Sequence, residues 1–76
     1  MNMLPEAEAI YHTLTAREKQ ALIFFAKGFT TKEVAALMDI SSKTADQYRW
    51  CIYSKLSIHR TVHLTRYAIR AGLIEA

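Results

Sequence analysis

A chain of 76 residues, 51% of them hydrophobic and only one a proline, has the make-up of one small folded domain rather than of a disordered tail. Its single cysteine, Cys51, excludes an intramolecular disulfide and a cysteine-clustered zinc site, and no apolar run approaches the ~20 residues of a membrane span. The net charge of +3 is lopsided: residues 1–13 hold Glu6 and Glu8 and no cation, whereas residues 14–76 hold all ten Lys and Arg against five acids, a balance of +5. Such a balance marks either a solvated surface or a side turned to a polyanion. Residues 1–9 lack the basic start and apolar stretch of a signal peptide, so a reducing, cytoplasmic location without a membrane partner is expected.

Residues 1–13 read as a lead-in segment and residues 14–76 as the domain proper. In the lead-in, PEAEAIYH (5–12) predicts a short helix, since Pro5 suits a first turn and acids are favoured near a helix N-terminus. Thr15 with Glu18 three residues on is a capping box, in which each side chain satisfies the other residue's backbone N–H. Leu22, Phe25 and Ala26 then share one face, and Gly28 ends the helix where a left-handed residue is needed. Thr30 and Glu33 repeat the box and start a short helix over about 31–38, burying Val34, Ala35 and either Leu37 or Met38. Asp39-Ile40 makes the turn and Ser41 caps a long helix, whose core stripe is Ala45, Tyr48, Ile52 and Leu56. A fourth helix over about 60–71 turns Leu64, Tyr67 and Ala68 inward and closes at Gly72, with Val62 open between core and outer surface. No segment alternates with period two, so the fold class is all-α.

A two-turn helix, a short turn and a longer helix make a helix-turn-helix, and its requirements can be checked one by one. A small residue must stand where the two helices cross, and Ala35 does. The turn must accept a left-handed backbone; Asp39 is among the few residues besides glycine that tolerate one. Val34, Met38, Ile40 and Ala45 supply the apolar lock.

The same residues resemble the LuxR/FixJ/GerE-type DNA-binding domain of bacterial transcription regulators over residues 14–74. The family's Leu-Thr-x-Arg-Glu opening is matched by Leu14, Thr15, Arg17 and Glu18. Its Ala-x-Gly and Lys-Glu-(Ile/Val)-Ala are matched by Ala26, Gly28, Lys32, Glu33, Val34 and Ala35. Its Lys-Leu falls on Lys55 and Leu56, and its Gly-Leu-Ile tail on Gly72, Leu73 and Ile74. The resemblance implies a four-helix domain whose third helix enters the major groove, and a homodimer through the fourth helix. It also implies basic contacts near the phosphate backbone at Lys32 and Lys55, and places Thr44 on the threonine that starts the recognition helix.

The departures concentrate on that helix. Where the family has Val-Lys-x-His, this chain has Ala45, Asp46, Gln47 and Tyr48, and Trp50 follows one turn beyond Asp46. Ser57 replaces a favoured glycine, and Thr31 a frequent asparagine. Two accounts of the altered face are open. In one the helix still reads DNA: Gln47 pairs with adenine, Asp46 accepts from a cytosine amino group, and Trp50 meets sugar or a thymine methyl. Lys43, Arg49 and Lys55 then hold phosphates. In the other the Asp46/Trp50 face binds a protein, since tryptophan is enriched in interfaces and an anion is repelled by phosphates. Residues 41–76 carry six cations against two acids, which favours DNA.

Other constellations are weak. His59 and His63 have a chelating spacing but no third ligand, Cys51 has no nucleophile context, and no catalytic group or cofactor site is evident. Dimerisation is expected through outward residues of the fourth helix, Val62, Thr65, Arg66 and Ile69. A sigma region 4-like module shares the local signal, although the full fourth helix and Gly-Leu-Ile ending set this chain apart. The expected protein is therefore a bacterial transcription regulator or its output domain, not an enzyme, binding double-stranded DNA through the helix at about 42–56.

Overall fold

A computed structural model describes residues 11–75, so the lead-in helix expected over 5–12 lies, except for its last two residues, outside the described part. Among the described residues there are four helices and no strand: α1 (Ala16–Ala26), α2 (Thr31–Met38), α3 (Ser42–Leu56) and α4 (Thr61–Arg70). Both capping boxes form. The Thr15 hydroxyl accepts from the Glu18 N–H at 3.1 Å, while Glu18 Oε1 accepts from the Thr15 N–H at 2.7 Å. Thr30 and Glu33 repeat the pair at 3.2 and 2.8 Å. Asp39 is left-handed, with φ 55° and ψ 50°, and the Ser41 hydroxyl accepts from the Thr44 N–H at 3.0 Å. The expected turn chemistry is thus in place at each junction of the helix-turn-helix.

Helix α1 is the central support, packing against α4, α3 and α2, while α2 packs against α3. The core is built on Leu22, Val34, Ile52 and Leu64, all fully buried. Burial of a side chain of this kind contributes about 1.5–3 kcal/mol. Of the two candidates near the end of α2, Met38 is buried and Leu37 is exposed. Tyr53, which the α3 stripe did not include, is also buried, and its hydroxyl lies 2.7 Å from the Thr61 hydroxyl at the start of α4. Val62 settles outward at 51% exposure.

Three polar ties fix the angles between helices. The Arg17 guanidinium donates to the Met38 carbonyl at 3.1 Å, placing a cation at the C-terminal end of α2, where the helix dipole favours one. The Thr65 hydroxyl donates to the Ala26 carbonyl at 2.8 Å, joining α4 to the end of α1. Lys55 Nζ donates to the Thr13 carbonyl at 3.2 Å and to Glu18 Oε1 at 2.8 Å, joining the far end of α3 to the start of α1. Together with the core they set the orientation of α3.

Candidate nucleic-acid interface

With Ala45, Ile52, Tyr53 and Leu56 buried, α3 exposes the opposite side, where Lys43, Gln47, Trp50 and Ser54 follow at spacings of four, three and four. All four are exposed, and they form one ridge along the helix. Thr44 stands half-buried at its start, its hydroxyl accepting from the Ser41 hydroxyl at 2.9 Å. Lys32 is exposed near the beginning of α2, on the adjoining helix of the motif. Cys51, one residue before Ile52, is exposed, since helical rotation carries it away from the buried stripe.

Asp46 is not a bare anion on this surface. It is half-buried at the edge of the ridge, and both of its oxygens are engaged. Oδ1 accepts from Arg49 Nη2 at 2.8 Å, and Oδ2 accepts from the Trp50 indole N–H at 3.1 Å. The Arg49 guanidinium lies 5.1 Å from the centre of the Trp50 ring, a cation–π contact. The indole meets Tyr53 edge to face at 5.9 Å, so the buried tyrosine supports the exposed tryptophan. One anion, one cation and one aromatic ring thus form a charge-balanced unit, answering the anomaly that the sequence raised at Asp46.

Arg49 is drawn into that unit, and its Nε is buried without a hydrogen-bond partner. Lys55 is drawn to the other side of α3 by Glu18, which is only 6% exposed. Burial alone would raise the Glu18 pKa. The hydrogen bond and charge of Lys55, with the backbone and hydroxyl of Thr15, outweigh it and hold the carboxyl below its usual value. Of the cations expected at phosphates, Lys32 and Lys43 remain exposed without an ion pair among the described residues. Sequence reasoning placed Glu18 as a cap and missed its second role as the counter-charge of Lys55. A 37-residue separation leaves no local signal for that contact.

The fourth-helix residues divide. Val62 and Arg66 are exposed and Ile69 is half-buried, whereas Thr65 is occupied by the Ala26 carbonyl. His59 and His63 are exposed, and the described residues contain no group of three side chains that could hold a metal ion. Nor is any helix among them long and apolar enough to cross a membrane.

A short helix, a left-handed turn and a longer helix with an exposed ridge, carried on an all-α support, define a helix-turn-helix domain. The family of bacterial regulatory proteins called the luxR family matches residues 12–68, and the chain belongs to that family. It is 38% identical over 71 residues to the response regulator UvrY of Escherichia coli K12, covering 93% of this chain and 33% of that protein. It is 31% identical over 74 residues to the response regulator protein VraR of Staphylococcus saprophyticus, covering 97% of this chain and 35% of the relative. The chain therefore spans about a third of the length of these relatives, 33% and 35% respectively. No solved structure matches it.

Proposed function

We propose that this chain is the DNA-binding output domain of a bacterial transcription regulator, placing α3 in the major groove of double-stranded DNA. The observation that carries the reading is the exposed ridge of Lys43, Gln47, Trp50 and Ser54 on the second helix of a helix-turn-helix. An α-helix fits the major groove, and Gln47 offers the donor–acceptor pair that matches adenine. Lys32 and Lys43 are the phosphate anchors. Lys55 already spends two donors within the protein, and Arg49 is held by Asp46, so these two contribute less. Membership of the luxR family and the complete α4 favour this reading over a sigma region 4-like module. Its relatives' description as response regulators supports control by a segment beyond this domain. Val62, Arg66 and Ile69 on the outer side of α4 are the surface for a second copy, giving two α3 helices for two half-sites.

Titration of the domain with mixed-sequence duplex at several salt concentrations tests the reading. Affinity should fall with a log–log slope of about −0.9 for each phosphate neutralised, and Lys32→Ala or Lys43→Ala should each flatten it by about one such unit. Salt-independent or undetectable duplex binding would reject the proposal in favour of a protein-binding module. Sedimentation with a palindromic duplex tests the second copy, and strict one-to-one binding would reject it.

A further inference from the structure

We infer that Asp46 is a positioning residue that presents Trp50 as an apolar reader of the thymine 5-methyl group. The inference rests on the reading of α3 as the groove-entering helix and adds the chemistry that its central residue recognises. Trp50 is 57% exposed, the most exposed large hydrophobic residue among those described. The one polar atom of its side chain is already engaged, because the indole N–H is given to Asp46 Oδ2 at 3.1 Å. The ring therefore offers carbon edges and face, with no donor for a base acceptor.

In an intact duplex the base faces are stacked on one another, so a side chain entering the major groove meets base edges. The one apolar group on those edges is the thymine methyl. Beside Trp50 the surface forms an open hollow of about 410 Å³, lined also by Tyr53, Ser54, Ser57, Ile58 and His59, in which Tyr53 and Ile58 add apolar surface next to the exposed ring. The charge balance of Asp46 with Arg49 removes the repulsion that a bare carboxylate would meet near phosphates.

Ring placement is also defined. Asp46 holds one side of the indole, Arg49 lies over it, and Tyr53 meets it edge to face at 5.9 Å. A side chain held in one orientation before binding loses less rotamer freedom when it docks. Asp46 thus acts through Trp50 rather than by accepting from a cytosine amino group.

The test begins with selection of a duplex from a random pool by the wild-type domain. Each thymine of the selected site is then replaced singly by deoxyuridine, which removes only the methyl. One position per half-site should lose roughly fourfold in affinity, the value of one buried methyl-sized group. Trp50→Ala should abolish that difference. Asp46→Ala should remove most of it, while Asp46→Asn, which still accepts from the indole N–H, should keep it. The chain has one tryptophan, so fluorescence anisotropy of the free domain reads the tether directly. It should fall in Asp46→Ala and hold in Asp46→Asn. Duplex binding indifferent to every uracil, or a uracil effect that survives Trp50→Ala, would overturn this inference alone. A domain that binds no duplex, with Trp50→Ala instead breaking a protein complex, would overturn it together with the DNA reading.

Discussion

Lys55 and Arg49 both lie on α3, and each meets a carboxylate at 2.8 Å. The partner of Lys55 is Glu18, a residue of α1 that is 37 positions away and 6% exposed. The partner of Arg49 is Asp46, three positions back on the same helix, with its side chain 43% exposed. At equal length the two pairs do different things. The first ties the third helix to its support, because a buried carboxylate left without its donors is costly. The second joins neighbours that one helical turn already brings together, and i,i+3 pairs on one helix contribute only a few tenths of a kcal/mol. Its consequence lies at the surface: it sets the charge and the shape of what α3 turns outward. Distance alone says nothing about an ion pair's role, which follows from burial and from what the chain would do without it.

The largest effect that would test this contrast is expected at Glu18. Glu18→Ala removes a cap acceptor and the buried counter-charge of Lys55, and should destabilise the domain by about 2–3 kcal/mol. For a domain of this size, that is a fall in Tm of roughly 10–20 °C. Calorimetry or thermal circular dichroism reads it, and a loss no greater than that of an exposed cap would show that the pair does not fasten α3.

The pH dependence of the same group comes next. Glu18 has its carboxyl pKa lowered in the folded protein from the ordinary 4.5, so the unfolded chain takes up the proton first as pH falls. Its contribution is fully present above pH 4.5 and is lost as the pH drops below that value through the folded-state pKa. Glu18→Gln should flatten the acid side of the stability curve there.

Much of this molecule was legible because it is written in short-range terms. The two capping boxes, the left-handed Asp39 and the glycine-terminated helices each need only neighbours within about one turn, and all are in place. What the sequence left open depends on which surfaces meet. Leu37 and Met38 are equally apolar, and only the placement of α2 on its neighbours buries Met38. Tyr53 is buried because α4 starts beside it and offers the Thr61 hydroxyl. At the candidate site, Gln47 and Trp50 were correctly placed outside, by helical spacing alone. The hydrogen bonds that engage Asp46 were not foreseen, although Arg49 and Trp50 stand at the i+3 and i+4 positions where such contacts form.

Two smaller effects separate the local from the long-range part of the cap. Glu33 makes the same box as Glu18 but is exposed and has no ion pair among the described residues. Glu33→Ala should therefore cost only about 1 kcal/mol, the usual value of a cap. A loss matching that of Glu18→Ala would erase the contrast. Ser57, which ends α3 one position after Leu56, has φ 55° and ψ 42°, a left-handed conformation that glycine adopts without a Cβ penalty. Ser57→Gly should stabilise the domain by about 0.5–1 kcal/mol, without altering the pairing of Lys55.

The smallest change in stability is expected where the change in binding is most informative. Asp46→Ala breaks a partly buried i,i+3 pair and an exposed hydrogen bond, both between neighbours on one helix, and should shift stability by less than about 1 kcal/mol. The same substitution releases Arg49 from its only ion pair among the described residues and removes one negative charge beside the α3 ridge. Non-specific duplex affinity should therefore rise and its salt dependence steepen by about 0.9 in log–log slope, as one more phosphate is neutralised. Thermal melts and salt titrations on the same preparation check both halves of the expectation. A large loss of stability with unchanged salt dependence would mean that the Asp46 pair fastens the fold as the Glu18 pair does. Near-neutral stability with a steeper slope would leave Glu18 as the structural carboxylate of α3, and Asp46 as the one that governs what its surface meets.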